Sequence, residues 1–184
     1  MGDDIEERSF SLASIGAPSW RVFFETHSKF VTRVVRRFGG RGIELEDAVQ
    51  DVFLVLFQQL HEFQGQAQIT TWIYRICANV GSEYRRRLAR RARTQAFLQR
   101  LPFIGGPRTP AQDAETHDDW QLVEKILSTM SAKRRDAFIL CELEELSGEE
   151  AAKILDVPLA TVRTRAHYAR QEFLLRVQAL RGAE

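Results

Sequence analysis

Arg163, Thr164, His167 and Arg170, near the C-terminus, share one face of a helix at 3.6 residues per turn. Their chemistry is that of nucleic-acid recognition: an arginine donates two hydrogen bonds to a guanine, and threonine or histidine bonds base edges or phosphates. Thr161 stands near the start of the same stretch. A second polar row, Thr71, Arg75, Asn79, Ser82 and Arg86, follows i, i+4, i+8, i+11 and i+15. It runs into Arg85, Arg86, Arg87, Arg90, Arg91 and Arg93, which could track phosphates while the polar residues upstream meet unstacked bases. A third row, Asp47, Gln50 and Asp51, would be repelled by phosphates and suits a basic protein partner. Taken singly, each row also fits a solvated helix face, and the arginines fit a helix end where cations meet the negative end of the macrodipole.

Nothing in the sequence has the spacing of a catalytic site. The 4 histidines, His27, His61, His117 and His167, lack metal-ligand spacing, and no glycine-rich loop ends in Gly-Lys-Ser/Thr. Neither an enzyme nor a bound metal or cofactor is expected. Cys77 and Cys141 are too few and too far apart for a disulfide framework, which fits a reducing, cytoplasmic compartment. No apolar run reaches membrane-spanning length, and Asp3, Asp4, Glu6 and Glu7 do not suit a secretory signal. The 184 residues, 44% hydrophobic and 28% charged, suit one or two small globular domains and exclude a disordered or fibrous chain. The formal net charge is only +1, but it is unevenly spread: −2 over Met1–Ser82, +7 over Glu83–Arg108, −7 over Thr109–Ala160 and +3 over Thr161–Glu184. Two basic blocks set apart suggest two separated polyanion contacts, with acidic faces turned elsewhere.

The elements that must carry these rows are all helical. Apolar residues from Trp20 to Phe38 recur on one face, with Pro18 in the first turn and Gly39, Gly40 and Gly42 at the end. A second helix is predicted over about 45–60, with Val49, Val52, Phe53, Leu56 and Leu60 inward and the acidic row outward. Phe63 to Gln68 reads as a polar loop, after which Thr70 or Thr71 starts a third helix with Ile69, Ile73 or Trp72, Ile76, Val80, Tyr84 and Leu88 as its apolar stripe. Gly81 costs that helix about 1 kcal/mol relative to alanine, which argues against a straight, uninterrupted run. Leu101 to His117, with Pro102, Gly105, Gly106, Pro107 and Pro110, reads as an interdomain linker. Beyond it lie a helix around Trp120–Met130, another over Ala132–Leu143, and a capping box at Ser147–Glu150 opening a short helix. A turn at Asp156-Val157-Pro158 precedes the last helix, from near 159–161 to about 178, with Val162, Ala166, Ala169 and Phe173 inward. Short helix, tight turn and longer basic helix form the helix-turn-helix pattern.

Three blocks in this order resemble the extracytoplasmic-function (ECF) group of bacterial alternative sigma factors. Glu46-Asp47-Ala48-Val49-Gln50-Asp51-Val52-Phe53 is similar to that family's region 2.2. Thr71-Trp72-Ile73-Tyr74-Arg75-Ile76-Cys77-Ala78-Asn79-Val80, with Tyr84-Arg85-Arg86-Arg87, resembles regions 2.3 and 2.4. Leu146 to Leu155 and Val157 to Arg165 resemble region 4.2. The resemblance implies an all-α protein of two small domains, region 2 over residues 1–94 and region 4 over 118–184, joined by a flexible linker over 95–117. It implies a factor that binds core RNA polymerase, brings it to promoters and promotes DNA melting. Asp47, Gln50 and Asp51 would dock on the clamp of the largest subunit, with the β flap as a further contact. Asn79 and the loop from Phe63 to Ile69 would hold a flipped base of the −10 element, with Thr71, Trp72, Arg75, Ser82, Arg85 and Arg86 on nearby DNA. Thr161, Arg163, Thr164, His167 and Arg170 would read the −35 element. Promoter DNA, core polymerase and an anti-sigma factor are the implied partners, with no small-molecule substrate and no membrane insertion. An anti-sigma factor could hold this cytoplasmic protein at the inner membrane.

Two other readings fit parts of the sequence: a stand-alone regulator that binds a palindrome as a dimer, and a helical adaptor that binds protein alone. Neither uses the polar face and arginine cluster of the first domain.

Overall fold

A computed structural model describes residues 17–59, 69–98 and 118–181. Among these residues there are seven α-helices and no strand, as the 3.6-residue periodicity predicts. No helix among them is long and apolar enough to cross a membrane.

The N-terminal unit is built from three helices. In α1 (Ala17–Gly39) the residues Val31, Val34, Val35 and Phe38 are fully buried. Gly40 and Gly42, at φ +74° and +78°, turn the chain through the left-handed region that glycine enters at little cost. In α2 (Leu45–Gln59) the inward residues are Ala48, Val52, Phe53 and Leu56. Leu60, predicted as the next inward residue, lies outside the described residues, as does the predicted loop from Phe63 to Gln68. Aromatic packing ties the helices together: Phe24 meets Phe53 at 4.5 Å and Phe30 meets Tyr74 edge-on at 4.7 Å.

The third helix, α3 (Ile69–Leu98), is continuous over 30 residues despite Gly81. A Cβ on residue 81 would lie 2.9 Å from Phe38 Cβ, 3.0 Å from the Val35 carbonyl oxygen and 3.1 Å from the Gly39 nitrogen. Without a side chain there, the backbones of α1 and α3 come into direct contact, and this packing outweighs the propensity loss that predicted an interruption. The helix also runs on through Gln95–Leu98. The linker predicted over Leu101–His117 lies outside the described residues.

The C-terminal unit comprises α4 (Asp118–Thr129), α5 (Ala132–Phe138), α6 (Gly148–Leu155) and α7 (Leu159–Arg181). The single helix predicted over Ala132–Leu143 is present, but its last turn, Ile139–Leu143, widens to a π-helix. The Glu144 N–H donates to the Ile139 carbonyl five residues back at 2.9 Å. Glu145 then adopts φ +54° and reverses the chain. The capping box is formed: the Glu150 N–H donates to Ser147 Oγ at 3.2 Å, and the Ser147 N–H donates to the Glu150 carboxylate at 2.8 Å. Asp156, at φ +53°, ends α6. Val162, Ala166 and Ala169 bury the inner face of α7, and Phe173 stacks on Phe138 at 4.8 Å. The two units, whose charge pattern suggests separate contacts, pack on each other, with α3 against α6.

Candidate nucleic-acid interface

A 30-residue helix presents its outward row as a ridge, and α2 lies beside the first half of that ridge. Between them is an open cleft of about 480 Å³ whose walls include Val55, Gln59, Trp72, Arg75, Asn79 and Glu83. Ile76 and Val80 form its apolar part. Such a site offers a flat ring an apolar wall to lie against, a carboxamide to bond its edge and a guanidinium for an adjoining phosphate. Arg75 and Asn79 are exposed, whereas Thr71, Trp72 and Ile69 are half-buried. Phe63, assigned to the same pocket, lies outside the described residues.

Two members of the predicted row are placed differently. Ser82 is buried, at 6% exposure, because it lies at the edge of the row next to Ala78 and Gly81, where α1 covers the helix. Arg85 also turns inward. Its Nη1 donates to the Phe38 carbonyl at 2.5 Å, and its Nη2 lies 3.5 Å from Asp136 Oδ1 and donates to Ser82 Oγ at 3.3 Å. Burial pulls the Arg85 guanidinium below its ordinary pKa.

Further along, the arginine cluster is organised by one acid. Arg86 donates twice to the Glu83 carboxylate, at 3.0 and 2.7 Å, and Arg87 and Arg90 donate to it at 3.2 and 3.0 Å. These hydrogen bonds, those of Arg86 first, hold Glu83 down to about 2.

On α2, Asp47 and Gln50 are exposed. Asp51 is half-buried and accepts a 2.7 Å hydrogen bond from the Tyr84 hydroxyl, so it ties α2 to α3 across one end of the cleft. Burial, together with this bond, holds the Tyr84 phenol up at about 12.

The α7 row is displayed as its periodicity predicts: Arg163, Thr164, His167 and Arg170 are exposed, and Thr161 is half-buried. Arg163 lies 3.6 Å from Glu149, with both side chains largely in solvent, a pair of small energetic weight. Thr164 Oγ1 donates to the Ala160 carbonyl at 2.9 Å, so its proton is engaged and its oxygen remains available as an acceptor. Arg170 forms a bidentate pair with Glu142, at 3.1 and 2.6 Å, that straps α7 to the π turn. Arg134 lies over the Tyr168 ring at 5.4 Å. The described residues hold no group of His, Cys, Asp or Glu arranged for a metal ion.

A further cluster escaped the sequence reading. Arg33, Arg37 and Tyr74 converge on Glu144 of the C-terminal unit. Its sequence signal was faint: an i, i+4 arginine pair on α1, and an acidic Glu142–Glu145 stretch with nothing local to neutralise it.

Residues 23–91 match the family model described as Sigma-70 region 2, and residues 120–173 match that described as Sigma-70, region 4. The chain is 31% identical over 157 residues to the ECF RNA polymerase sigma-E factor of Escherichia coli (strain K12), covering 82% of each protein. It is 29% identical over 169 residues to its counterpart from Haemophilus influenzae, covering 88% of this chain and 89% of the relative. Against the ECF RNA polymerase sigma factor SigE of Mycolicibacterium smegmatis the identity is 30% over 161 residues, 84% of this chain but 60% of that longer protein. Among solved structures, the sigma factor RpoE of Bartonella quintana, in complex with the anti-sigma factor NepR, shares the fold at a TM-score of 0.64 and 21% identity, over 86% of this chain and 96% of that one. CnrH, in complex with the cytosolic domain of CnrY, does so at 0.64 and 21%, over 91% and 93%. With two matched regions in the expected order and relatives aligned over most of their length, the chain belongs to the ECF group of RNA polymerase sigma factors, a family of transcription-initiation factors and not of enzymes.

Proposed function

We propose that this chain docks on core RNA polymerase through the outer face of α2, reads the −10 element with the cleft between α2 and α3, and reads the −35 element with α7. Asp47 and Gln50 supply an exposed acidic and amide-bearing face for a basic helical partner, the polymerase clamp; the β flap is a second contact. Asp51 acts from behind this face, bonded to Tyr84. In the cleft, Asn79 bonds the edge of one extruded base, Trp72 and Ile76 give it an apolar wall, and Arg75 meets the adjoining phosphate. Arg163, Thr164 and His167 reach base edges in the major groove, and Arg170 sits one turn further toward the backbone. Domain limits near residues 94 and 118 follow from this division of labour. The factor works in the cytoplasm, and an anti-sigma factor, such as accompanies the solved RpoE chain, is a further partner that could hold it at the inner membrane.

The observation that carries this proposal is the cleft, where Asn79, Trp72 and Arg75 border one space of ligand size. Base extrusion costs a few kcal/mol, which captured bases must offset. Run-off transcription with core polymerase on a promoter library is the test. Asn79→Ala should lose open-complex formation while co-eluting with core polymerase as the parent does, and Asp47→Arg should lose co-elution itself. A free chain that footprints a palindrome unaided, or one that never co-elutes with core polymerase, would refute the proposal.

A further inference from the structure

Of the 30 residues of α3, seven are arginine and one, Glu83, is acidic. That carboxylate receives four N–H donors. Arg86 reaches one oxygen through Nε and Nη2, at 3.0 and 2.7 Å, while Arg87 Nε and Arg90 Nη2 reach the other at 3.2 and 3.0 Å. A carboxylate has about four lone-pair sites, so this one is full. A helix takes its ordinary support from a single partner three or four positions on, and Arg90 is seven positions away, two turns along the same face. The arrangement is that of several guanidiniums gripping one oxyanion, as they grip a phosphate. Exposure sorts the two signs: the Glu83 side chain is 33% exposed, against 59, 53 and 62% for those of Arg86, Arg87 and Arg90. The cations therefore cover the acid and face an incoming strand first.

Glu83 also stands between two recesses. With Asn79, one turn before it, it borders the cleft. Beyond it, Arg87 and Arg90 join Arg91, Thr94 and Gln95 around an open recess of about 470 Å³. Arg87 and Arg90 stand about 12 and about 16 Å along the helix axis from Asn79, within a few nucleotides of a base held there. Intact duplex offers these cations only phosphates. To take them it must strip Glu83 of its donors and leave that charge bare beside the phosphates, where like charges repel. An opened strand offers a base as well. Once the arginines turn to its phosphates, the Glu83 oxygens are open to a base edge in the cleft, where a carboxylate accepts from the exocyclic amino group of cytosine or adenine. Thymine presents a carbonyl oxygen at that position and is repelled.

We propose that Glu83 is a specificity-determining residue with two sets of partners. In the free chain it stands in for a DNA phosphate on Arg86, Arg87 and Arg90; when a strand opens, it passes them to the backbone and accepts from an amino-bearing base beside Asn79. The inference rests on the proposed reading of the −10 element by α3. Fluorescence anisotropy on the full chain tests it, with labelled probes over a range of salt. On a duplex of random sequence, Glu83→Ala should bind about tenfold tighter in low salt and steepen the fall of log affinity with log salt by about 2 to 3, since each freed arginine adds about 0.9. On single strands, the parent should bind oligo-deoxycytidine about fivefold tighter than oligo-deoxythymidine, and Glu83→Ala should bind them alike. Steepening by about one or less reports only a lost charge and overturns the proposal. A preference for cytosine that survives the substitution, or is absent from the parent, overturns it too. Circular dichroism checks that helix content is kept; should Glu83→Ala lose it, Glu83→Gln, which keeps an acceptor without the charge, should move both readings the same way by less. Run-off transcription with core polymerase separates this inference from the reading it rests on. Transcripts from the parent, with neither binding reading moved by the substitution, leave the sigma-factor reading standing and remove the role of Glu83. Both readings moved as expected, with transcripts that start equally well whether the −10 element is intact or not, leave Glu83 its two sets of partners and remove the assignment of α3 to that element.

Discussion

The two helices assigned to DNA are held in opposite ways. Along α3 the cations are engaged before any nucleic acid arrives: Glu83 gathers Arg86, Arg87 and Arg90, Arg85 is turned inward, and Arg75 is shared with Asp156. Along α7 the residues proposed to read DNA are exposed, and among the described residues only the pair of Arg170 with Glu142 is bidentate there. A helix that reads a closed duplex can be displayed ready-made, because the major groove already presents its code. A helix that captures bases from an opened duplex works only after melting, and cations held by acids until then do not bind duplex DNA indiscriminately.

Substitutions that affect one helix and not the other sharpen this contrast. The largest effect is expected at the core of α3. Gly81→Ala puts a Cβ 2.9 Å from Phe38 Cβ and 3.0 Å from a backbone oxygen. It should cost about 2–3 kcal/mol, lowering the melting temperature by roughly 5–10 °C in a circular-dichroism melt. A melt matching the parent would mean that α3 is not fixed by close approach. Arg163→Ala on α7 should instead weaken −35-dependent promoter binding by the holoenzyme by about 1–3 kcal/mol, with stability unchanged within about 0.5 kcal/mol. Equal use of promoters with and without an intact −35 element by the parent chain would break the assignment of α7. Ser147→Ala removes the capping box that starts α6 and should cost about 1 kcal/mol in chemical denaturation.

The smallest effect belongs to Glu83. Its carboxyl titrates at about 2 in the folded chain against an ordinary 4.5, so the pairing stabilises the arginine-rich half of α3 above pH 4.5 and is lost as pH falls toward 2. Because the group is exposed, the gain is slight and fades in high salt. Helicity followed by circular dichroism through that acid window should fall less in Glu83→Gln than in the parent.

Local rules made much of this legible in the sequence. The Ser147–Glu150 box, the Asp156-Pro158 turn and the α7 row depend on residues within a turn or two of one another, and each is present as predicted. What escaped depends on distant neighbours. Periodicity puts Ser82 in one row with Asn79, but only the approach of α1 at Gly81 decides that Ser82 is covered and Asn79 is not. Asp51 reads as an outward acid until Tyr84, 33 positions away, donates to it. The Glu144 cluster joins residues up to 111 positions apart, and no window of the sequence holds both partners. Gly81 departs from its local rule for the same reason: propensity counts the missing side chain as a loss, and packing turns it into a contact.

That contact makes the first two walls of the N-terminal unit mechanically one piece. With α1 and α3 touching backbone to backbone at residue 81, neither can slide past the other without a collision. The cleft is bordered by α3 on one side and α2 on the other, so its width is set by the tilt of α2. Asp51 and Tyr84 act as the bolt on that door, and whatever grips the outside of α2 has its hand on the handle.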